Sequence, residues 1–122
     1  MGTGNWGIAY TVVAGADLSG QQYKFVNLSG VLATAAANAY GILQNKPESG
    51  QHAQVISRGR SKIYMATSIG DGAFIGQSDA NSGQVAIVTS GTIALGWMVK
   101  AAASGSVGTA ELFGGPSYIS AL

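Results

Sequence analysis

The chain has 122 residues, enough for one domain with a modest core. Only 9% of residues are charged and the formal net charge is +1, so no broad basic field points to nucleic acid or an acidic membrane. There is no cysteine, which excludes disulfides, thiolate chemistry and cysteine-bound zinc.

Apolar residues make up 47% of the chain, and so little charge leaves surface that favours association. The first positive side chain is Lys24, so the N-terminus lacks the charged start of a secretory signal. The apolar-leaning run Ile8–Ala16 ends at Asp17 and is too short to span a bilayer.

Nineteen glycines, with many Ser, Asn and Asp residues, cut the chain into short runs rich in Val, Ile, Tyr and Phe. That pattern predicts many short strands closed into a barrel or sandwich. In chain order the expected strands are Ile8–Val13, Gln22–Leu28, Val31–Thr34, Ala39–Gln44, His52–Arg58, Ser61–Ala66, Ala73–Gln77, Gln84–Thr89, Ile93–Val99 and Val107–Phe113. The all-β expectation is thus a compact barrel or sandwich of about ten strands. Alternation in "QQYKFVNL" points Tyr23, Phe25 and Asn27 one way. The run Ala33–Ala39 has helix propensity but is too short to hold a helix alone.

A weak repeat divides the chain into two halves. Shifted by 55 residues, "AYGILQNKPESG" (Ala39–Gly50) lies over "ALGWMVKAAASG" (Ala94–Gly105). Gly41, Ser49 and Gly50 meet Gly96, Ser104 and Gly105, while Ile42-Leu43 meets Trp97-Met98. The second copy replaces Asn45–Glu48 with Lys100–Ala103, so the shared part is scaffold. Pro47 suits the second position of a turn, and Gly50 takes positive φ readily, so Gly41–Gln51 reads as strand, turn and returning strand.

Catalytic patterns are missing. The phosphate-loop pattern is absent, and in "GDGAFIG" (Gly70–Gly76) the last glycine falls one place late for a dinucleotide fingerprint. His52 is the single histidine and reads as a solvent-facing strand residue. The carboxylates Asp17, Glu48, Asp71, Asp79 and Glu111 are scattered. "RGRSK" (Arg58–Lys62) holds three of the six positive side chains. It reads either as a solvated turn between strands or as a contact for an acidic partner. A nucleic-acid groove calls for stacking aromatics, and Tyr64 alone is close by in sequence.

The segments "AGADLSGQQYKFVNLSG" (Ala14–Gly30), "AYGILQNKPESGQHAQV" (Ala39–Val55) and "GRSKIYM" (Gly59–Met65) resemble a family of small phage capsid cement or decoration proteins. The resemblance continues through Gly70–Val88 and Ala94–Gly105 and covers about residues 12–113. It implies a homotrimeric β domain on the outside of an icosahedral head, which binds the major capsid protein and reinforces its contacts. It implies no catalytic residue, cofactor, metal or small-molecule substrate.

On this reading residues 1–11 form an N-terminal arm, 12–113 the β domain and 114–122 a C-terminal tail. Both ends carry large apolar anchors, which either pack on their own domain or dock onto a neighbour. The candidate capsid or subunit contacts are therefore Trp6, Tyr10, Arg58, Arg60, Lys62, Tyr118 and Ile119. Other readings are a head-fibre base, tail or adhesion module, and a small nucleic-acid-binding barrel that uses "RGRSK".

Overall fold

The stretch expected to hold two strands around a charged turn is one strand of 13 residues, His52–Tyr64. In the computed structural model, which describes residues 8–34, 39–78, 82–87 and 93–118, eight strands form one antiparallel sheet nearly closed into a barrel. They are β1 (Ile8–Val13), β2 (Phe25–Val26), β3 (Gly41–Leu43), β4 (His52–Tyr64), β5 (Phe74–Gln77), β6 (Val85–Ile87), β7 (Ile93–Lys100) and β8 (Val107–Tyr118). No helix occurs among the described residues.

Two expectations need correction. Gly59 takes φ 100°, yet the ladder to β8 runs through it, with Gly59 opposite Leu112. The positive φ that favours a turn is here absorbed within a paired strand. The strand expected over Val31–Thr34 reduces to a single bridge, Val26 to Leu32, because Asn27 instead closes a turn by accepting the Ser29 and Val31 N–H groups. At the ends, residues 8–11 of the expected arm pair in β1, and residues 114–118 of the expected tail continue β8. The run 35–38 lies outside the described residues.

Strand order is β2-β3-β4-β8-β7-β5-β6, with β1 on β4. Three backbone bonds draw the two ends of this order together. Phe25 N–H donates to Gly83 O (2.9 Å), Gly83 N–H to Ala33 O (2.8 Å), and Ala33 N–H to Phe25 O (3.0 Å).

The repeat is a repeat of register. Ile42 pairs with Ile56 and Leu43 with Val55; 55 residues on, Trp97 pairs with Glu111 and Met98 with Ala110. β2 and β5 extend the match: Phe25 and Val26 pair with Ile42 and Gly41, as Phe74 and Ile75 pair with Trp97 and Gly96. Gly41 and Gly96 are kept for close approach, since a Cβ on either would fall on the carbonyl oxygen of Ile56 or Glu111. The turn before each unit also matches. Tyr23 N–H bonds Leu43 O (2.8 Å), and Gly72 N–H bonds Met98 O (2.6 Å). Tyr23, at φ 69°, is the one non-glycine with positive φ among the described residues, and Gly72 takes φ 80° in the equivalent place.

Two units with one register present opposite faces to the core. Phe25, Ile42 and half-buried Ile56 of the first unit face the main cluster, together with Ile75, Met98 and Ala110 of the second. The first unit's other face, Val26, Leu43 and Val55, is covered by Ala14 and Leu18 in a smaller cluster. The units therefore stack in the same sense, front to back. β4 joins the layers: the face that sends Ala53 and Val55 into the small cluster sends Ile63 into the main one. A strand that changes layer needs a bend, and the register with β1 shifts between Ile8 and Ala9, passing over Ser57 of β4, two residues before Gly59.

Candidate interaction faces

Front-to-back stacking leaves the front of the second unit without a layer over it among the described residues. Phe74 lies opposite Trp97, Trp97 opposite Glu111, and Glu111 opposite Arg60, so one row crosses four strands. Directly opposed residues point to the same face of a sheet. Arg58 is opposite Phe113 on one side of that row, and Lys62–Thr109–Lys100 forms the next row on the other. Phe74 and Phe113 touch at a centroid distance of 6.3 Å, tilted by 55°. These three aromatics are half-buried and belong to neither cluster.

The face thus gathers Arg58, Arg60, Lys62 and Lys100, four of the six positive side chains. Arg60 Nε lies 3.3 Å from Glu111 Oε1 in a pair open to solvent. Lys62 Nζ sits 6.0 Å from the Tyr23 ring centroid, and Lys24 Nζ 5.0 Å from that of Tyr64, both within cation–π range. Full burial of an aromatic side chain is worth about 1.5–3 kcal/mol. Three half-buried rings on one face leave part of that unused.

Arg58, Arg60 and Lys62 are brought together on the exposed side of a strand, not on a turn. Their aromatic neighbours come from β5, β7 and β8, so adjacency in sequence missed them. One signal was available: Glu111 stands where the repeat has Ile56, which marks that face of the second unit as outward.

The opposite side of the molecule is built from the turn at Gln44–Gln51. The Asn45 amide donates to His52 O and accepts from Gln54 N–H, both at 3.0 Å, and so acts as a short strand against β4. Buried Pro47 accepts from Leu18 N–H (2.9 Å), Gly50 N–H donates to Ala14 O (2.8 Å), and Ala14 N–H to Gln51 O (2.8 Å). These bonds hold Ala14 and Leu18 over the small cluster. This stretch is scaffold. Around it Asp17 and Glu48 are exposed, as are Tyr10 (43%), Val13 (57%) and Leu28 (66%). The Asp17 carboxylate accepts from Ser19 N–H at 3.0 Å, and the Ser19 backbone and side-chain bonds hold its pKa below the ordinary value.

Tyr10 stacks at 5.2 Å from Tyr40, so this candidate contact is partly used within the chain. Tyr118 ends β8 opposite Ile93. Trp6 and Ile119 lie outside the described residues. A small cleft between Phe25, Tyr40, Ser57 and Leu112 holds about 10 Å³, no more than one water occupies. A shallow groove of about 470 Å³ lies between Tyr10 and Thr11 of β1 and the side chains of Gln44 and Gln54. No group of three or more metal-ligating residues occurs among the described residues.

No family model matches the sequence, and no curated protein does either. Among solved structures, the fold is similar to that of the N base of head fibre gp8.5 of bacteriophage phi29. The TM-score is 0.61 over 91% of this chain and 98% of that one, at 13% sequence identity. At that identity the likeness is one of fold.

Proposed function

We propose that the chain is a non-enzymatic structural protein of a phage particle, set on the outer surface of the head and bound to the major capsid protein. The observation that carries this reading is the end-to-end likeness to a head-fibre base, a domain matched over nearly its full length. The scarcity of charge and the exposed apolar side chains support a protein that works in an assembly. In its finer form the reading is a cement or decoration subunit, a homotrimer that reinforces contacts between capsid proteins. The solved neighbour favours a second form, the base on which a head fibre stands.

The test is composition and position. Mass spectrometry of purified particles should find the chain in fixed stoichiometry to the major capsid protein, and antibody gold should label the outside of intact heads. Particles that lack the chain should open at lower temperature if it is cement, and at an unchanged temperature if it is a fibre base. Absence from purified particles would overturn the reading.

A further inference from the structure

We propose that the cationic aromatic face of the second unit is the surface that docks on the head, and that its partner is an acidic patch of folded protein with an apolar centre. The inference rests on the head-bound reading above and names the surface that serves it.

Positive charge in this chain is concentrated on that face. Arg58, Arg60 and Lys62 alternate along the exposed side of β4, and Lys100 joins them across Thr109. Tyr64 is the next residue of the same alternation, and the Lys24 ammonium lies 5.0 Å from its ring centroid. Five of the six positive side chains therefore meet one side of the sheet. The carboxylates beside them are Glu111, paired with Arg60, and Asp71 at the rim, which accepts the Ala101 N–H at 2.7 Å. A net charge of only +1 gathered so unevenly is suited to an acidic partner.

The apolar part of the face is suited to protein. Phe74, Trp97 and Phe113 are half-buried and belong to neither cluster, and Val107, 44% exposed, lies opposite Tyr64 on the same side. Aromatic side chains and arginine are the residues enriched in protein interfaces, where an apolar centre is bordered by a polar rim. Other occupants fit less well. A second copy laid face to face would set cation against cation. A nucleic acid would bring phosphates against Glu111 in the middle of the row. Phe74 and Phe113, tilted by 55°, offer stacked bases no common plane.

Heads purified from particles that lack the chain are the probe. Co-sedimentation with these heads would compare the wild type with R58E, K62E and K46E, circular dichroism verifying each fold. All three variants exchange one cation for one anion, and Lys46 is exposed on the turn across the molecule from the face. R58E and K62E should each weaken binding more than about tenfold, and K46E less than about twofold. Heads whose carboxylates are capped as amides should bind the wild type at least about tenfold more weakly. Undiminished binding by R58E and K62E, an equal loss in all three variants, or full binding to capped heads would overturn the proposal. In each of those cases the wild type still binds heads, so the virion reading stands. Oligonucleotide binding or self-association that R58E and K62E abolish, with head binding intact, would assign the face to that partner instead. A wild type absent from particles and unable to bind heads would overturn the virion reading, and this docking surface with it.

Discussion

Phe25 and Phe74 hold the same place in two copies of one β unit, and their surroundings are opposite. Phe25 pairs with Ile42 and is 1% exposed in the main cluster, whereas Phe74 pairs with Trp97 outside both clusters. Backbone register is conserved between the copies while the role of each face is reassigned. What differs is the side chain two strands away, Ile56 in one unit and Glu111 in the other.

Gly41 and Gly96 fix that register through close contact, so Gly41→Ala and Gly96→Ala should each destabilise by about 1–3 kcal/mol or more through overpacking against backbone. Urea titration of each variant against wild type measures this. A loss below half a kcal/mol at either site, on the order of a neutral surface change, would show that the paired strands yield easily.

Gly72 separates conformational cost from steric cost. Its φ is 80° and nothing lies within 4 Å of an added Cβ, so Gly72→Ala should cost roughly 1–2 kcal/mol from the left-handed backbone alone. Gly20 also has open space but no positive φ, so Gly20→Ala should be neutral or stabilise by about 0.4–1 kcal/mol. Equal effects at the two positions in thermal unfolding would remove this account.

Pro47 is a stiffener of the turn that holds Leu18 in place. Pro47→Ala should lower stability by about 0.4–1 kcal/mol, mostly through a looser unfolded chain, with a further small loss of packing. Sedimentation velocity should report unchanged association. Lost association in a variant that melts near the wild-type temperature would make the turn a contact.

The Arg60–Glu111 pair should matter little to the isolated fold. At 58% and 33% side-chain exposure its contribution is about 0–1 kcal/mol, and a double-mutant cycle with alanine at each position should return a coupling in that range. A coupling well above it would mean that the face is more enclosed than its exposure indicates.

How much could be read without coordinates follows from the same residues. Gly41 and Gly96 must stay glycine wherever the strands approach so closely, so the repeat was visible in the sequence. β1 fell on its expected range, Ile8–Val13, because a run rich in β-branched and aromatic residues (Ile8, Tyr10, Thr11, Val12, Val13) ends there at Ala14-Gly15. Gly59 misled because positive φ occurs in a bent strand as well as in a turn. The cationic aromatic face was legible only in part: the cations stand two apart on β4, whereas Phe74, Trp97 and Phe113 reach them through pairings between strands distant in sequence.

β4 also sets how the subunit carries load. Its first half is bonded to β1 on one edge and β3 on the other, and its second half to β8. Bonds in such ladders lie across the strand, so a pull along β4 strains them together in shear, not one after another. A tether that drew on this strand would meet a brace spanning both layers. The weaker direction is a pull that peels β1, which is laddered to β4 alone among the described strands.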